Sequence, residues 1–314
     1  MELENRWLRE TYVDLLIEYA KQDERLVIVE ADLMKAAGTT RFGEAFPQRT
    51  VNCGVQEANM IGVAAGMSAM GKIPFTHTFT PFSTRRVCDQ VTLSVAYAGL
   101  NVKIMGSDPG VTAELNGGTH MSMEDVAIMR NIPGMIIYEP VDSAQLKKIF
   151  PQILEHYGPV YIRLLRRNAV QIFDDNAEFK LGKGIVLKEG KDVTLLASGI
   201  MVEEALKAAQ TLTEKGIDPE IINIHTIKPL DEELVLQSAR KTGAVVTAEN
   251  HSILNGLGGA VAEFLSENNP VPVQRVGVKD TFGEVGFTDF LKEKYGLTEK
   301  EIVLAAEKAI AMKR

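Results

Sequence analysis

Cysteine is scarce: Cys53 and Cys88 are the only two in 314 residues. Two thiols make no disulfide framework, and no metal-ligand spacing accompanies them. Positive charge is also short, with 34 Lys and Arg against 42 Asp and Glu and a net charge of -8. No long basic stripe is present, which argues against nucleic acid as a partner. No apolar run approaches the ~20 residues a membrane span needs. The opening "MELENRWLRE" is charged and lacks the apolar segment of a secretory signal. Short repeats and low-complexity tracts are missing too. These absences fit a chain kept in a reducing cytoplasm, away from membranes. What is there is ordinary: 45% hydrophobic and 24% charged residues, enough for a sizeable core. The length suggests about two domains.

Helical and strand patterns alternate along the chain. "WLRETYVDLLIEYAK" has apolar residues near helical spacing, and "RLVIVEAD" is a short apolar run typical of a buried parallel strand. Glu57 to Met70 predicts a helix and "KIPFTHTF" a strand. "PFSTRRVCDQVTLSVAYA" predicts one helix, with Pro81 in its first turn. "NVKIMG" is a strand, and Ser107 to Ser122 a long Gly-rich loop. "VDSAQLKKIFPQIL" is a helix capped by Asp142 or Ser143, and "GPVYIRLL" a strand. A polar, aperiodic stretch follows, read as a linker over residues 167–184. Residues 185–314 alternate again, with strands "DVTLLAS", "DPEIINI", "GAVVTAE" and "VPVQRVG" between four helices. The expected fold is α/β, with two open, mostly parallel sheets flanked by helices, the first in residues 1–166 and the second, smaller one in 185–314.

In open α/β sheets, ligands sit beyond the carboxyl ends of strands. "EADLMKAAGTT", "NCGVQEAN" and the loop from Ser107 to Ser122 reach such ends. Glu57 stands at the head of a small, apolar helical run. It is either an acid favoured by the helix macrodipole or a buried acid held for proton work. Phe79 and Phe82 are core aromatics or a stacking surface. Gly117 and Gly118, before His120, imply close approach to a ligand. Cys53 and Cys88 read as core thiols.

"VNCGVQEANMIGVAAGMSAMGKIPFTHTFTPF" resembles the pyrimidine-binding domain of transketolases. The likeness continues through "GGTHMSMEDVAIMRNIPGM", "TIKPLDEEL", "AENHSILNGLGGAVAE" and "DTFGEVGFTDFLKEKYGLT", covering nearly the whole chain in order. The resemblance implies thiamine diphosphate as cofactor and ketol transfer from a ketose, phosphorylated or not, to an aldose. It assigns Glu57 to a hydrogen bond with the cofactor's pyrimidine nitrogen, and Asp32, Phe79 and Phe82 to the pyrimidine's surroundings. A third family aromatic falls on Arg85. His120 matches a His at the donor sugar, and Arg166 an Arg on the substrate phosphate, with Arg163 and Arg167 as alternatives. His77 is a further substrate candidate on the same strand as Phe79. Other departures lie at the sugar end. A family acid appears as Asn116, a loop His falls near Asp108, and a Ser near Ala36. His251 is implied to be structural.

The other half of a transketolase binds diphosphate and Mg²⁺ through Gly-Asp-Gly, a tripeptide absent here. The resemblance therefore implies a C-terminal subunit, active only with a separate N-terminal subunit that holds most of both cofactors. Symmetry implies a two-plus-two heterotetramer, with apolar surface on the first domain facing the partner. Two rivals stand beside this reading. One is the beta subunit of a 2-oxoacid dehydrogenase or a deoxyxylulose phosphate synthase-like enzyme, which decarboxylation of pyruvate would reveal. The other is a non-catalytic scaffold, for which Glu57 has no use. Calorimetric titration of thiamine diphosphate and Mg²⁺ into this chain alone should give no binding heat. Tight, metal-dependent binding would sink the split-subunit expectation.

Overall fold

The computed structural model describes residues 2–313, which form two mostly parallel sheets flanked by helices. Across the first sheet the strands run Thr226–Lys228, Ile136–Tyr138, Val160–Leu164, Lys103–Ser107, Ile73–Phe79, Leu26–Glu30 and Thr50–Asn52. Across the second they run Val273–Val278, Val245–Ser252, Val193–Ala197, Pro219–Asn223 and Ile185–Lys188. Only an edge strand of each, Thr226–Lys228 and Ile185–Lys188, is antiparallel. Central strands such as Leu26–Glu30, Val160–Leu164 and Val193–Ala197 are buried at every position. Helices cover both of their faces, which is why they read as unbroken apolar runs.

Three apolar clusters hold these layers. One lies under helix Leu8–Gln22, whose buried Leu8, Tyr12, Leu16 and Ala20 recur every fourth residue, and under helix Ser143–Glu155. A second lies under helices Met201–Glu214 and Glu299–Ala311. The third is shared: Val29 and Ile104 of the first sheet and Leu196 and Ile222 of the second join one cluster with Met60, Val91 and Val261. Among the described residues, no helix is long and apolar enough to cross a membrane.

Three segments differ from the sequence expectation. The helix expected from Pro81 to Ala98 is broken into a short turn Thr80–Ser83, a tight turn Arg85–Val87 and a wide-wound segment Val91–Tyr97. The hydroxyls of Thr80 and Ser83 donate to Ser107 O at 2.8 Å and Met105 O at 2.7 Å, tying the chain to the neighbouring strand. The polar stretch after residue 166 is not featureless. Its strand Asn168–Val170 pairs with Leu3–Trp7. Asp142, besides capping helix Ser143–Glu155 through Gln145 N, accepts Ile172 N and Phe173 N at 2.9 and 2.8 Å. Finally, Thr226–Lys228 crosses from the second half to close the open edge of Ile136–Tyr138.

The two sheets are tied by buried charge. Arg163, 1% exposed on a central strand, donates to Asp125 Oδ2 at 2.7 Å and Glu139 Oε1 at 2.5 Å. Its Nη2 donates to Asn250 O, in the second sheet, at 2.6 Å. Tyr161 completes the cluster by donating to Asp125 at 2.8 Å. Arg163→Met should therefore cost about 3–5 kcal/mol, because two buried carboxylates lose their cation. Urea unfolding checks this, and a loss below about 1 kcal/mol would refute the tie.

Candidate active site

The candidate residues lie along one edge of the first sheet, at the carboxyl ends of its strands. Asp32 follows strand Leu26–Glu30, and Glu57 opens the helix after Thr50–Asn52. Phe79 ends Ile73–Phe79, Asp108 follows Lys103–Ser107, and Arg166 follows Val160–Leu164.

A continuous chain of contacts runs through part of this set. The Glu57 carboxylate is buried, the residue being 3% exposed, at the start of helix Glu57–Ala69. Arg86 Nη1 donates to Glu57 Oε1 at 2.7 Å, and its guanidinium carbon lies 3.8 Å from the centre of the Phe82 ring. Phe82 and Phe79 are both half-buried, with ring centres 6.2 Å apart. The His120 ring meets both edge-on, at 5.1 Å from Phe82 and 5.8 Å from Phe79. Thr119 Oγ1 lies 2.8 Å from His120 Nδ1 and orients the imidazole. Beyond Phe79 the Arg166 guanidinium carbon stands 5.0 Å from its ring centre. Arg166 Nε is paired with Asp108, whose Oδ1 also accepts Arg166 N at 3.3 Å. A buried acid, two partly open aromatic faces, an imidazole and a guanidinium thus follow one another. That order suits a flat heterocycle at one end and an anionic, hydroxylated ligand at the other.

Other predicted residues stand apart from this chain. Asp32 is exposed, with φ +62°, and accepts at 3.4 Å from the side chain of Asn52. Arg85 points to Glu124, 2.6 Å away. Asn116 is exposed at the end of the turn Gly110–Asn116. His77 is fully buried under helix Leu8–Gln22, 3.0 Å from both Tyr12 Oη and Glu30 Oε1. Ala36 offers its carbonyl to Arg9. Of the alternatives to Arg166, Arg163 is in the buried inter-sheet cluster and Arg167 pairs with Glu114. The glycines before His120 differ from expectation. A Cβ on Gly118 would lie 2.2 Å from Gly283 O, so the close approach is to the chain itself. Cys53 and Cys88 are free and half-buried. His251 is buried at the contact between the two halves, its Nε2 accepting Ala127 N at 3.3 Å.

Two contributors escaped the sequence reading. Arg86 had no signal beyond a charged residue in an expected helix. Asn250 shapes the loop before His120 from far along the chain, accepting Val111 N and donating to Pro109 O, both at 2.9 Å. Its position in "AENH" was visible, but its partner was not.

Comparison with known proteins now adds to the geometry. Residues 6–171 match the family "Transketolase, pyrimidine binding domain" and residues 182–302 match "Transketolase, C-terminal domain". The chain is 68% identical over 313 residues to the 6-deoxy-6-sulfo-D-fructose transketolase subunit SqwH of Clostridium sp. (strain MSTE9), covering 100% of this chain and 97% of that one. It is 36% identical over 299 residues to one of the subunits of the apulose-4-phosphate transketolase of Phocaeicola vulgatus (strain ATCC 8482), covering 95% and 96%. A solved structure described as a split gene transketolase, inactive beta4 tetramer, superposes with a TM-score of 0.90 at 45% identity, covering 99% of this chain and 100% of that one.

Burial pushes the Asp108 carboxyl up to about 6, against the opposing pull of Arg166 and Arg167. Its ordinary value is 3.8, so between these limits the folded chain holds a proton that the unfolded chain has lost. Stability from this group therefore falls as pH rises from about 4 to 6, and is level above that. Asp108→Asn should remove a fall of about 2 kcal/mol, read from denaturant unfolding at the two ends of the window. An unchanged slope would refute the shift.

Proposed function

The chain belongs to the transketolase family, and we propose that it is the C-terminal subunit of a split, thiamine diphosphate-dependent transketolase. In this reading it transfers a two-carbon ketol unit from a ketose donor with an anionic tail to an aldose acceptor. The observation that carries the proposal is the buried Glu57 carboxylate, joined through Arg86 to the half-buried pair Phe82 and Phe79. A buried acid near partly open aromatic rings fits an aminopyrimidine, which needs both a stacking surface and a partner for its ring nitrogen.

The cofactor, when bound, would supply the nucleophilic chemistry that ketol transfer needs. This chain's residues would do the rest at its end of the site. Glu57 would share a proton with the pyrimidine ring nitrogen. Phe79 and Phe82 would hold the ring. His120 moves the hydroxyl proton of the donor. Arg166 would hold the anionic tail, with Asp108 behind it. Diphosphate and Mg²⁺ are assigned to the N-terminal subunit. The 68% identity to a sulfofructose transketolase subunit favours a sulfonated ketose as donor.

Two features support a partner. Helix Glu57–Ala69 leaves Gly62 and Gly66 against open space, and Val55, Met70, Leu93 and Tyr97 are exposed nearby in the chain. The tetramer of the similar beta chain is described as inactive, which agrees with a subunit that needs its other half, in a two-plus-two complex.

Reconstitution with the N-terminal subunit tests the proposal. The complex should convert 6-deoxy-6-sulfofructose and an aldose acceptor into a new ketose and a shortened sulfo-aldose. Glu57→Ala should lower kcat by about 10²–10⁴-fold with the fold intact by circular dichroism. Full activity in that variant would end the catalytic reading. Carbon dioxide release from pyruvate without aldehyde exchange would move the chain to the 2-oxoacid group.

A further inference from the structure

We propose that Asp108 selects the charge of the donor's tail: ionised against Arg166, it suits the site to a singly charged sulfonate and opposes a doubly charged phosphate. This rests on the transketolase reading above and goes on to name the residue that discriminates.

Position comes first. Asp108 and Arg166 follow neighbouring central strands, whose last residues Ser107 and Leu164 are paired. Asp108 is 1% exposed with φ +55°, and its amide donates to Leu164 O at 2.9 Å. Asn would suit that left-handed backbone as well as Asp, so the turn does not call for a carboxylate. What the carboxylate does is engage Arg166, through its backbone amide and its Nε. The guanidinium lies over Phe79, whose ring also meets His120. Its side chain is 19% exposed, and no other side-chain hydrogen bond occupies its Nη groups among the described residues. Those groups are available to an anion, and the Nε is not.

Charge comes second. Arg9, Arg166 and Arg167 bear on this corner, against Asp108, Glu114 and, beside Arg9, Glu10. Arg167 is paired with Glu114, and Arg166 with Asp108. With each of these two cations already matched by a carboxylate, little positive charge is left for a second anionic charge. A sulfonate carries one charge at every working pH. A phosphate monoester carries about 1.5 to 2 at pH 7. At ~5 Å and an effective dielectric near 20, the extra charge opposed by Asp108 weakens binding on the order of tenfold to a hundredfold.

The test uses the chain reconstituted with its N-terminal subunit. KM is measured at pH 7.5 for 6-deoxy-6-sulfofructose and for fructose 6-phosphate, with one aldose acceptor. The wild type should favour the sulfonate. Asp108→Asn and Asp108→His should each lower the KM of the phosphate relative to that of the sulfonate by tenfold or more. A second measurement needs no variant. Methanesulfonate should inhibit the wild type more strongly than methyl phosphate. An unchanged KM ratio in folded variants, or methyl phosphate as the stronger inhibitor, overturns the proposal while ketol transfer itself stands. A complex that transfers from no ketose overturns the transketolase reading, and this one with it.

Discussion

A buried cation on a central strand is the constraint on which the rest depends. Arg163 sits where its neighbours are apolar, and an unpaired guanidinium there is prohibitive. Its partners are drawn from three places: Asp125 at a helix start, Glu139 after a strand, and the Asn250 carbonyl in the second sheet. Once Asn250 is held there, its side chain fastens Pro109 and Val111. That loop carries Asp108 at one end and His120 at the other. The same cluster that joins the two sheets therefore sets the shape of the candidate site. Gly199 fits the same pattern, since a Cβ there would strike Glu139.

The site owes its order to the order of strands. Adjacent parallel strands deliver their carboxyl ends side by side, so residues scattered from Asp32 to Arg166 come to one edge. The acid lies at one end, the aromatics between, and the Arg166–Asp108 pair at the other. Each end holds an ion pair, Glu57 with Arg86 at one and Asp108 with Arg166 at the other, with the aromatic rings between them.

Much of this was legible in the sequence. Buried parallel strands such as Leu26–Glu30 read as apolar runs because both of their faces are covered. Asp142 read as a cap because a short acceptor before a helix has few other uses. Glu57, Phe79, Phe82, His120 and Arg166 were legible as candidates through motif and resemblance. The break after Pro81 was not, because it is made by hydroxyl bonds to a strand over twenty residues away. Nor was Thr226–Lys228 as part of the first sheet, since three residues carry no periodicity of their own. Arg86 and Asn250 were missed because their roles exist only through their partners.

By itself, the sequence determined the alternation of elements, the two-sheet α/β class and the residue types available for chemistry. These follow from local periodicity and from which side chains avoid water. The tertiary structure decided which charges meet. It put Arg86 on Glu57 and Phe82, Asp108 on Arg166, and Arg163 between two carboxylates from separate segments. Pairing of charges depends on distances across the fold, and a linear sequence does not contain those distances.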